Sequence, residues 1–482
     1  MMGALRSLCS LYSWRYPTVL VYMLQNTEYR VGPYLRWYWH TTRFDRVMYR
    51  RTLERTRAAR LLLLAIRLLM LVEMLAGALL IERWVLGSLT GGLAFGLALI
   101  VAYPVVWAHL VVVPLVLGRL LLVRPQQRGA IAASRKVFAD FQGIKIAVAG
   151  SYGKTSMKEL LLTVLGEGKK VAATPANKNV AISHAYFAQK LQGDEDILII
   201  EYGEGEPGDV RRFTANTRPT HAVITGIAPA HLDRYKTLAA AAEDIFSVAD
   251  VVPLDHVYVN GESPDALAYV RPNMQLYNEK NALGWKIQGV QIAITGTSFT
   301  MQKGKAKLAL HSKLLGRHQV GPLALVAALA HQFGLSGEQI AAGVANTRPF
   351  EHRMEPYQLA GAWIIDDTYN GNIEGVRAGL KLLQDLPATR KIYVTPGLVD
   401  QGPETERVHR EMGKLIAEAR PDIVVLMQHS VTPFIQAGLE AASYQGEVRL
   451  ETDPLDFYQN LQLVVAAGDL VVMQNDWPDN YA

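Results

Sequence analysis

Between Val85 and Gly118 the chain runs for 34 residues without an Asp, Glu, Lys or Arg. Few environments accept such a stretch. A bilayer does, because about 20 consecutive apolar residues in a helix cross its hydrocarbon core. Just upstream, Leu61 to Ile81 is a 21-residue apolar run broken only by Arg67 and Glu73. The first run fits one span. The second fits one tilted span with a continuation bent near Pro104 or Pro114, or two short spans. Arg43, Arg46, Arg50, Arg51, Arg55, Arg57 and Arg60 crowd the entrance, and Arg119, Arg124, Arg128 and Arg135 follow the exit. Arginine-rich flanks stay in the cytoplasm, so an even number of spans is expected. The reading is a transmembrane hairpin over 61–125, with membrane contact through 61–118 and Glu82-Arg83-Trp84 near its outer tip. Residues 1–60, rich in Arg, Tyr and Trp, suit an anionic headgroup surface, and no nucleic-acid partner is expected. Everything after the hairpin then lies on the cytoplasmic side of the inner (cytoplasmic) membrane.

The charge balance marks where this module ends. Residues 1–136 carry 18 basic and 5 acidic side chains, whereas residues 137–482 carry 31 and 39. The whole-chain net charge of +5 is therefore the sum of two unlike parts. A mean hydropathy of +0.09 averages over the same seam. The single cysteine, Cys9, excludes a disulfide scaffold and any cysteine-built zinc or iron–sulfur site.

Beyond the seam, strand-like and helix-like segments alternate. Ile144–Ala149 is a β-type run, followed by Gly150-Ser-Tyr-Gly-Lys-Thr-Ser156 and a helical pattern from Met157 to Leu165. Ile197–Ile200 is a second buried strand, ending at Glu201, and Ala222–Thr225 a third, ending near His231. Gly316 to Phe350 reads as mainly helical. A second block begins near Leu359, with strands over Ala362–Ile365, Lys391–Thr395, Ile423–Met427 and Leu470–Met473. This alternation implies a mostly parallel sheet, with ligands at the carboxyl ends of its strands. The fold class is α/β: a phosphate-loop central domain with a parallel-rich sheet over 137–346, then a Rossmann-like C-terminal domain over 347–482, behind the helical hairpin.

Chemistry is most legible in Gly150–Ser156. A strand, a glycine turn and a helix opening at Lys-Thr aim backbone N–H groups and a helix N-terminus at an anion. Lys154 would neutralise the β- and γ-phosphates of a nucleotide, and the Thr155 hydroxyl would reach magnesium. The spacing is the tight G-x-x-G-K-T, since Val148 stands where the longer spacing has glycine. Glu201, closing an apolar strand, is a candidate ligand of a hard cation. His231 and the turn-like Asp366-Asp-Thr-Tyr-Asn-Gly-Asn372 follow other strands.

Taken in order, these segments resemble the Mur ligase family, the ATP-dependent amide ligases that build peptidoglycan stem peptides. The family's G-x-x-G-K-T/S loop is similar to Gly150–Ser156, and its asparagine-rich stretch to Thr174-Pro-Ala-Asn-Lys-Asn179. Its Glu strand end with a following Gly-Asp element matches Glu201 and Gly208-Asp209-Val210, and its His-Leu-Asp segment falls within Gly226 to Asp233. Leu315-Gly-Arg-His-Gln-Val320 resembles its Gly-x-His-Asn-Val element, with Gln319 in place of asparagine. Glu351–Glu355 and Asp366–Asn372 resemble the start of its C-terminal domain, which covers the adenosine, and Thr395–Gly402 resembles a later loop. The resemblance covers about 140–480.

It implies ATP and Mg2+ as cofactors and a two-step reaction. ATP phosphorylates a substrate carboxylate, and an amine displaces the phosphate as the amide forms. Within the family it implies addition of D-alanyl-D-alanine to a muramoyl-peptide acceptor, UDP- or lipid-linked. Another Mur-type ligase with a different acceptor, or a membrane-coupled phosphate-loop ATPase, is the alternative. By the resemblance, Lys154, Glu201 and His231 are catalytic, and Thr155, Glu201 and His231 hold metal. Gly150, Ser151, Tyr152, Gly153, Lys154, Thr155, Ser156, His318, Arg353, Asp366 and Asn370 bind nucleotide, and Thr174, Asn177 and Asn179 bind substrate. Many members carry, after the histidine, a lysine modified to a carbamate; it is absent here, so by the resemblance either Glu243 or Asp244 replaces the carbamate as the anion beside the metal, or the second metal site is weaker. The hairpin stands where soluble members hold the UDP-sugar.

Overall fold

The computed structural model describes residues 9–27, 29–47, 53–176, 178–229, 232–369, 371–399 and 401–475. The described residues up to Arg128 and those from Gly129 onward form two compact units.

In the first unit the two apolar runs are helices, Arg57–Val85 and Gly92–Leu110. By length and composition the helical stretches Ala59–Val85 and Gly92–Asp140 could each cross a membrane, with 18-residue windows of mean hydropathy 2.3 and 2.2. Thr56 caps the first, its hydroxyl accepting from the Ala59 N–H. The chain reverses between them at Gly87 and Gly91, whose φ values of +68° and +84° favour glycine. Glu82-Arg83-Trp84 therefore forms the last helical turn before the reversal. The two backbones touch at glycines: a Cβ on Gly96 would lie 2.6 Å from the Gly77 carbonyl oxygen, and one on Gly77 2.8 Å from that of Gly96. Small residues are what let helices approach so closely.

The second run passes Pro104 without ending and resumes after Leu110 as Val112–Gly118 and then Arg124–Asp140, with a π-type turn between. Three tyrosine hydroxyls donate to its carbonyls: Tyr12 to Val101 at 2.7 Å, Tyr16 to Pro104 at 3.0 Å and Tyr34 to Ala108 at 2.9 Å. The arginine- and aromatic-rich segment is thus folded. Its helices Tyr16–Asn26 and Val31–His40 bury Tyr16, Leu20, Leu24, Tyr34 and Tyr38 with Ile66, Met70 and Ala108. Arg67 donates to Thr18 Oγ1 at 3.3 Å, and its guanidinium lies 5.3 Å from the Trp14 ring centroid.

The second unit is built on two sheets. Among the described residues the first has ten strands: β1 (Ile144–Ala149), β2 (Val171–Ala173), β3 (Ile197–Glu201), β4 (His221–Ile224), β5 (Val257–Asn260), β6 (Gln275–Tyr277), β7 (Asn281–Ala282), β8 (Trp285–Ala293), β9 (Gly296–Lys303) and β10 (Ala306–Ser312). Their order is β10-β9-β8-β7-β6-β5-β4-β1-β3-β2. From β2 to β6 the pairing is parallel, and from β6 to β10 antiparallel. Alternation along β1 makes both faces apolar. Ile146 and Val148 pack with the Lys154–Leu165 helix and Val320–Gln332, while Ala147 and Ala149 pack with Phe213, Ile245 and Phe246 on the other face. A strand buried on both faces reads as an unbroken hydrophobic run, as this one does.

The second sheet comprises β11 (Glu355–Leu359), β12 (Ala362–Asp367), β13 (Arg390–Thr395), β14 (Ile423–Met427), β15 (Glu447–Glu451) and β16 (Asp469–Gln474), ordered β11-β12-β16-β13-β14-β15. Only β11 is antiparallel to its neighbour. Helices Ile373–Asp385 and Thr405–Ala419 cover one face through Val376, Leu380, Val408 and Met412. The α/β expectation for both domains holds.

Candidate nucleotide and cation site

The carboxyl ends of β1, β3 and β4 converge on the glycine loop. Gly150 (φ +143°) and Gly153 (φ +72°) shape its turn. A Cβ on Gly150 would collide with the Thr225 hydroxyl, and one on Gly226 would enter the Tyr152 ring. The Ser151 N–H donates to the Gly226 carbonyl at 2.8 Å. Two glycines from different strand ends therefore close the loop against β4, and the helix opens at Lys154 with Gly153 as its cap.

Lys154 and Thr155 each reach a buried carboxylate. Lys154 Nζ donates to the Gly150 carbonyl at 2.6 Å and lies 2.9 Å and 2.7 Å from the two oxygens of Glu204. Thr155 Oγ1 donates to Glu201 Oε1 at 3.0 Å, and Asn179 Nδ2 donates to the same oxygen at 3.3 Å. Glu201 Oε2 is buried with no hydrogen-bond partner. It faces the Lys158 ammonium at 3.5 Å, and Lys158 in turn donates to the Ala176 carbonyl. A buried carboxylate oxygen that makes no hydrogen bond, its ammonium neighbour 3.5 Å off and a hydroxyl beside it, fits a hard cation that takes oxygen ligands. Among the described residues, no group of three or more His, Cys, Asp and Glu side chains forms a ready-made metal centre.

The asparagine-rich segment is tied to the same carboxylate. The Thr174 hydroxyl is buried and accepts the Glu201 N–H at 3.0 Å, so Thr174 positions Glu201. The Asn179 carbonyl accepts the Gly203 N–H at 2.8 Å. His184 holds the Glu201 carbonyl through Nε2 at 2.8 Å, and burial pushes its pKa down to about 4. Asn177, His231 and Asn370 lie outside the described residues.

A cavity of about 570 Å³ opens on the other side of the loop, between the two αβ domains. Tyr152, Gly153 and Ser156 line it from the loop, His318 from the central domain, and Arg353, Asp367 and Asn372 from the C-terminal domain. Burial pushes His318 to about 4, leaving it neutral, and its Nε2 accepts from Gln319 Nε2 at 2.9 Å. The Arg353 guanidinium stacks 4.3 Å from the Tyr369 ring centroid.

Asp366 is not among the residues lining this cavity. Its carboxylate turns to His352 Nδ1 at 2.7 Å and the Thr368 hydroxyl at 2.7 Å. Asp367, on the opposite face of β12, lines the cavity instead. It accepts from Gln474 Nε2 at 2.7 Å and the Met354 N–H at 3.2 Å, and burial raises its pKa to about 7. Of the two acids offered in place of the absent lysine, Glu243 is exposed. Asp244 is buried, accepting from the Tyr235 hydroxyl at 2.8 Å and the Gly208 N–H at 3.0 Å. Sequence reasoning missed Glu204 and Lys158. Lys158 carried a signal, since it follows Lys154 by four residues on one helix face; Glu204, in the loop after β3, carried none.

Comparison with known proteins finds relatives of both αβ domains, in the same order. The Mur ligase middle domain matches residues 148–330, and the Mur ligase glutamate ligase domain residues 352–474. The chain is 28% identical over 287 residues to the UDP-N-acetylmuramoyl-tripeptide--D-alanyl-D-alanine ligase of Escherichia coli, covering 58% of this chain and 63% of that one. It is 26% identical over 333 residues to the Bacillus subtilis protein of the same name, covering 68% and 72%. The match thus spans less than two thirds of the Escherichia coli relative. In fold it is similar to MurF from Thermotoga maritima in complex with ADP, with a TM-score of 0.63 at 20% identity over 73% of this chain and 80% of that one. MurF from Acinetobacter baumannii gives 0.63 at 19% identity over 73% and 77%. With both domains matched in order around a phosphate loop, the chain belongs to the Mur ligase family.

Proposed function

We propose that this chain is an ATP-dependent amide ligase of peptidoglycan precursor synthesis, joining D-alanyl-D-alanine to a UDP-N-acetylmuramoyl-tripeptide. The observation that carries the reading is the Thr155–Glu201 contact of 3.0 Å at the mouth of the glycine loop. It puts the glycine loop and a buried carboxylate side by side, next to a cavity of about 570 Å³, as a phosphate cradle and a cation ligand beside a nucleoside would need.

Carboxylate attack on a phosphate brings like charges together, so the site must supply positive charge. Lys154 would take the β- and γ-phosphate oxygens. Thr155 and Glu201 would hold magnesium, with His231 toward a second ion. Magnesium, when bound, neutralises charge on the transferring phosphoryl group. Asp367 and Asn370 would hold the nucleoside, and Arg353 would help close the C-terminal domain over it. Closure would exclude water, which otherwise hydrolyses the acyl phosphate. Asn177 and Asn179 would bind the acceptor. Coupled ADP release over a panel of amino acids and dipeptides tests the reading: turnover should need both a muramoyl-tripeptide and D-alanyl-D-alanine. ATP consumption without an amine would point to an ATPase instead.

A second reading concerns the acceptor. The helices Arg57–Val85 and Gly92–Leu110 precede the ligase domains. We infer that they insert in the cytoplasmic membrane and keep the catalytic domains on its cytoplasmic side. There they tether a conventional ligase or present a lipid-linked acceptor. Faster turnover of a soluble UDP-linked tripeptide than of its lipid-linked counterpart excludes the second role.

A further inference from the structure

Glu204 takes no part in the reaction just described, yet it holds the phosphate-loop lysine. Lys154 Nζ has three protons, and they are met by the Gly150 carbonyl and both Glu204 oxygens, at 2.6, 2.9 and 2.7 Å. The pair is well sheltered, at 11% and 5% side-chain exposure. One turn further along the helix, Lys158 is fully buried and faces Glu201 at 3.5 Å. Two ammonium groups are thus matched by two buried carboxylates within the loop and the strand end beside it. Glu159, 3.1 Å from Lys158, adds a further negative charge at the edge.

With its side chains so balanced, the site has only the loop N–H groups and the helix N-terminus left to offer a polyphosphate. For Lys154 to turn to a phosphate, Glu204 must give it up, and a sheltered carboxylate stripped of its partner beside a phosphate is strongly disfavoured. Resting on the nucleotide reading above, we propose that Glu204 is a positioning residue. It holds Lys154 against the loop as its counter-ion and makes nucleotide binding conditional on a divalent cation. The cation replaces the positive charge that Glu204 loses when Lys154 moves to the phosphate. Glu201 and Glu204 are held by the consecutive residues Thr155 and Lys154, so one cation's field reaches both.

The test measures nucleotide affinity rather than turnover. ADP and ATP are titrated calorimetrically into the full-length protein in detergent, with excess magnesium and with EDTA, for wild type, Glu204→Gln and Glu204→Ala. Ligand-free melting verifies that each variant folds. Wild type should bind far more tightly with magnesium. In both variants, EDTA affinity should rise roughly tenfold or more, because one negative charge beside the phosphates is gone. The magnesium-to-EDTA ratio should fall by the same factor. A merely structural role would weaken binding equally in both conditions and leave the ratio unchanged, which overturns the assignment. Wild type failing to bind nucleotide at all would defeat the nucleotide reading itself. Magnesium-dependent wild-type binding with an unchanged ratio in the variants sinks only the role of Glu204.

Discussion

Replacing Lys154 by methionine removes one charge while nearly keeping the shape, and its consequences for stability and for turnover can be separated. The stability term is set by Glu204, which sits at 5% side-chain exposure and loses its ammonium partner. Removing one member of a buried pair costs about 3–5 kcal/mol. The lower end applies here, because the Lys154 side chain retains 11% exposure and solvent reaches the pair. A loss of about 3 kcal/mol corresponds to a fall of roughly 6–12 °C in melting temperature for a domain of this size. The double variant Lys154→Met/Glu204→Gln leaves no unpaired charge and should recover most of that. Turnover behaves differently. One aligned donor to a developing oxyanion is worth about 100- to 1,000-fold, and a full charge on the transferring phosphate at least as much. Both variants should therefore lose about 1,000-fold or more in kcat, the stable double variant included. Differential scanning calorimetry and coupled ADP release on the same preparations decide the matter. If the double variant regained turnover along with stability, the loss in Lys154→Met would be one of folding, and the phosphate role of Lys154 would be refuted.

Asp367 gives a pH signature. Burial raises it to about 7 in the fold against roughly 3.9 in an unfolded chain, so between those values the folded state holds a proton that the unfolded state releases. Its contribution is present at low pH and is lost as pH rises to 7, at up to about 1.4 kcal/mol per pH unit. Asp367→Asn should thus gain stability relative to wild type between pH 5 and 7 and level off above, as read by urea denaturation across pH. Gly226→Ala should cost about 2 kcal/mol or more and weaken nucleotide binding, since its Cβ enters the Tyr152 ring at a φ of +148°; affinity within twofold of wild type would contradict this. Gly96→Leu should prise apart the helices that meet at Gly77, seen as a lower melting temperature of the full-length protein in detergent, with coupled ADP release below that temperature unchanged.

Much of the ligase body was legible because strands buried on both faces announce themselves as short apolar runs. Ile423–Met427 falls where the sequence places it, and Ile197–Ile200 gains only Glu201. The antiparallel extension from β7 to β10 was not read. Its strands alternate buried and exposed side chains, as in Ala306–Ser312, so charged and apolar residues interleave and no run forms. β2 is three residues long, too short for any period to show. In the site, glycine spacing gave the loop and a strand-end carboxylate gave Glu201. Glu204 is neither a strand end nor a motif position, and its importance comes from a side chain 50 residues away. Residues 1–60 read as a surface segment because their arginines dominate the composition. Their tyrosines act through hydroxyl contacts to carbonyls more than 70 residues distant.

Asp366 and Asp367 are the same chemical group, one residue apart, and only the parity of β12 decides which of them faces the cavity. That parity is set at the turn before it, where Ala360 and Gly361 adopt φ values of +50° and +81° and pair Leu359 with Ala362. It is set again by β16, which pairs Asp367 with Gln474, the residue that also donates to the Asp367 carboxylate. A one-residue deletion between Ala362 and Ile365 would exchange the two acids while leaving composition almost untouched. Substitution is open to this segment as a route of change, but insertion and deletion are closed. Variation in length among natural descendants of this chain should therefore stop short of Ala362 and resume only past Asp367.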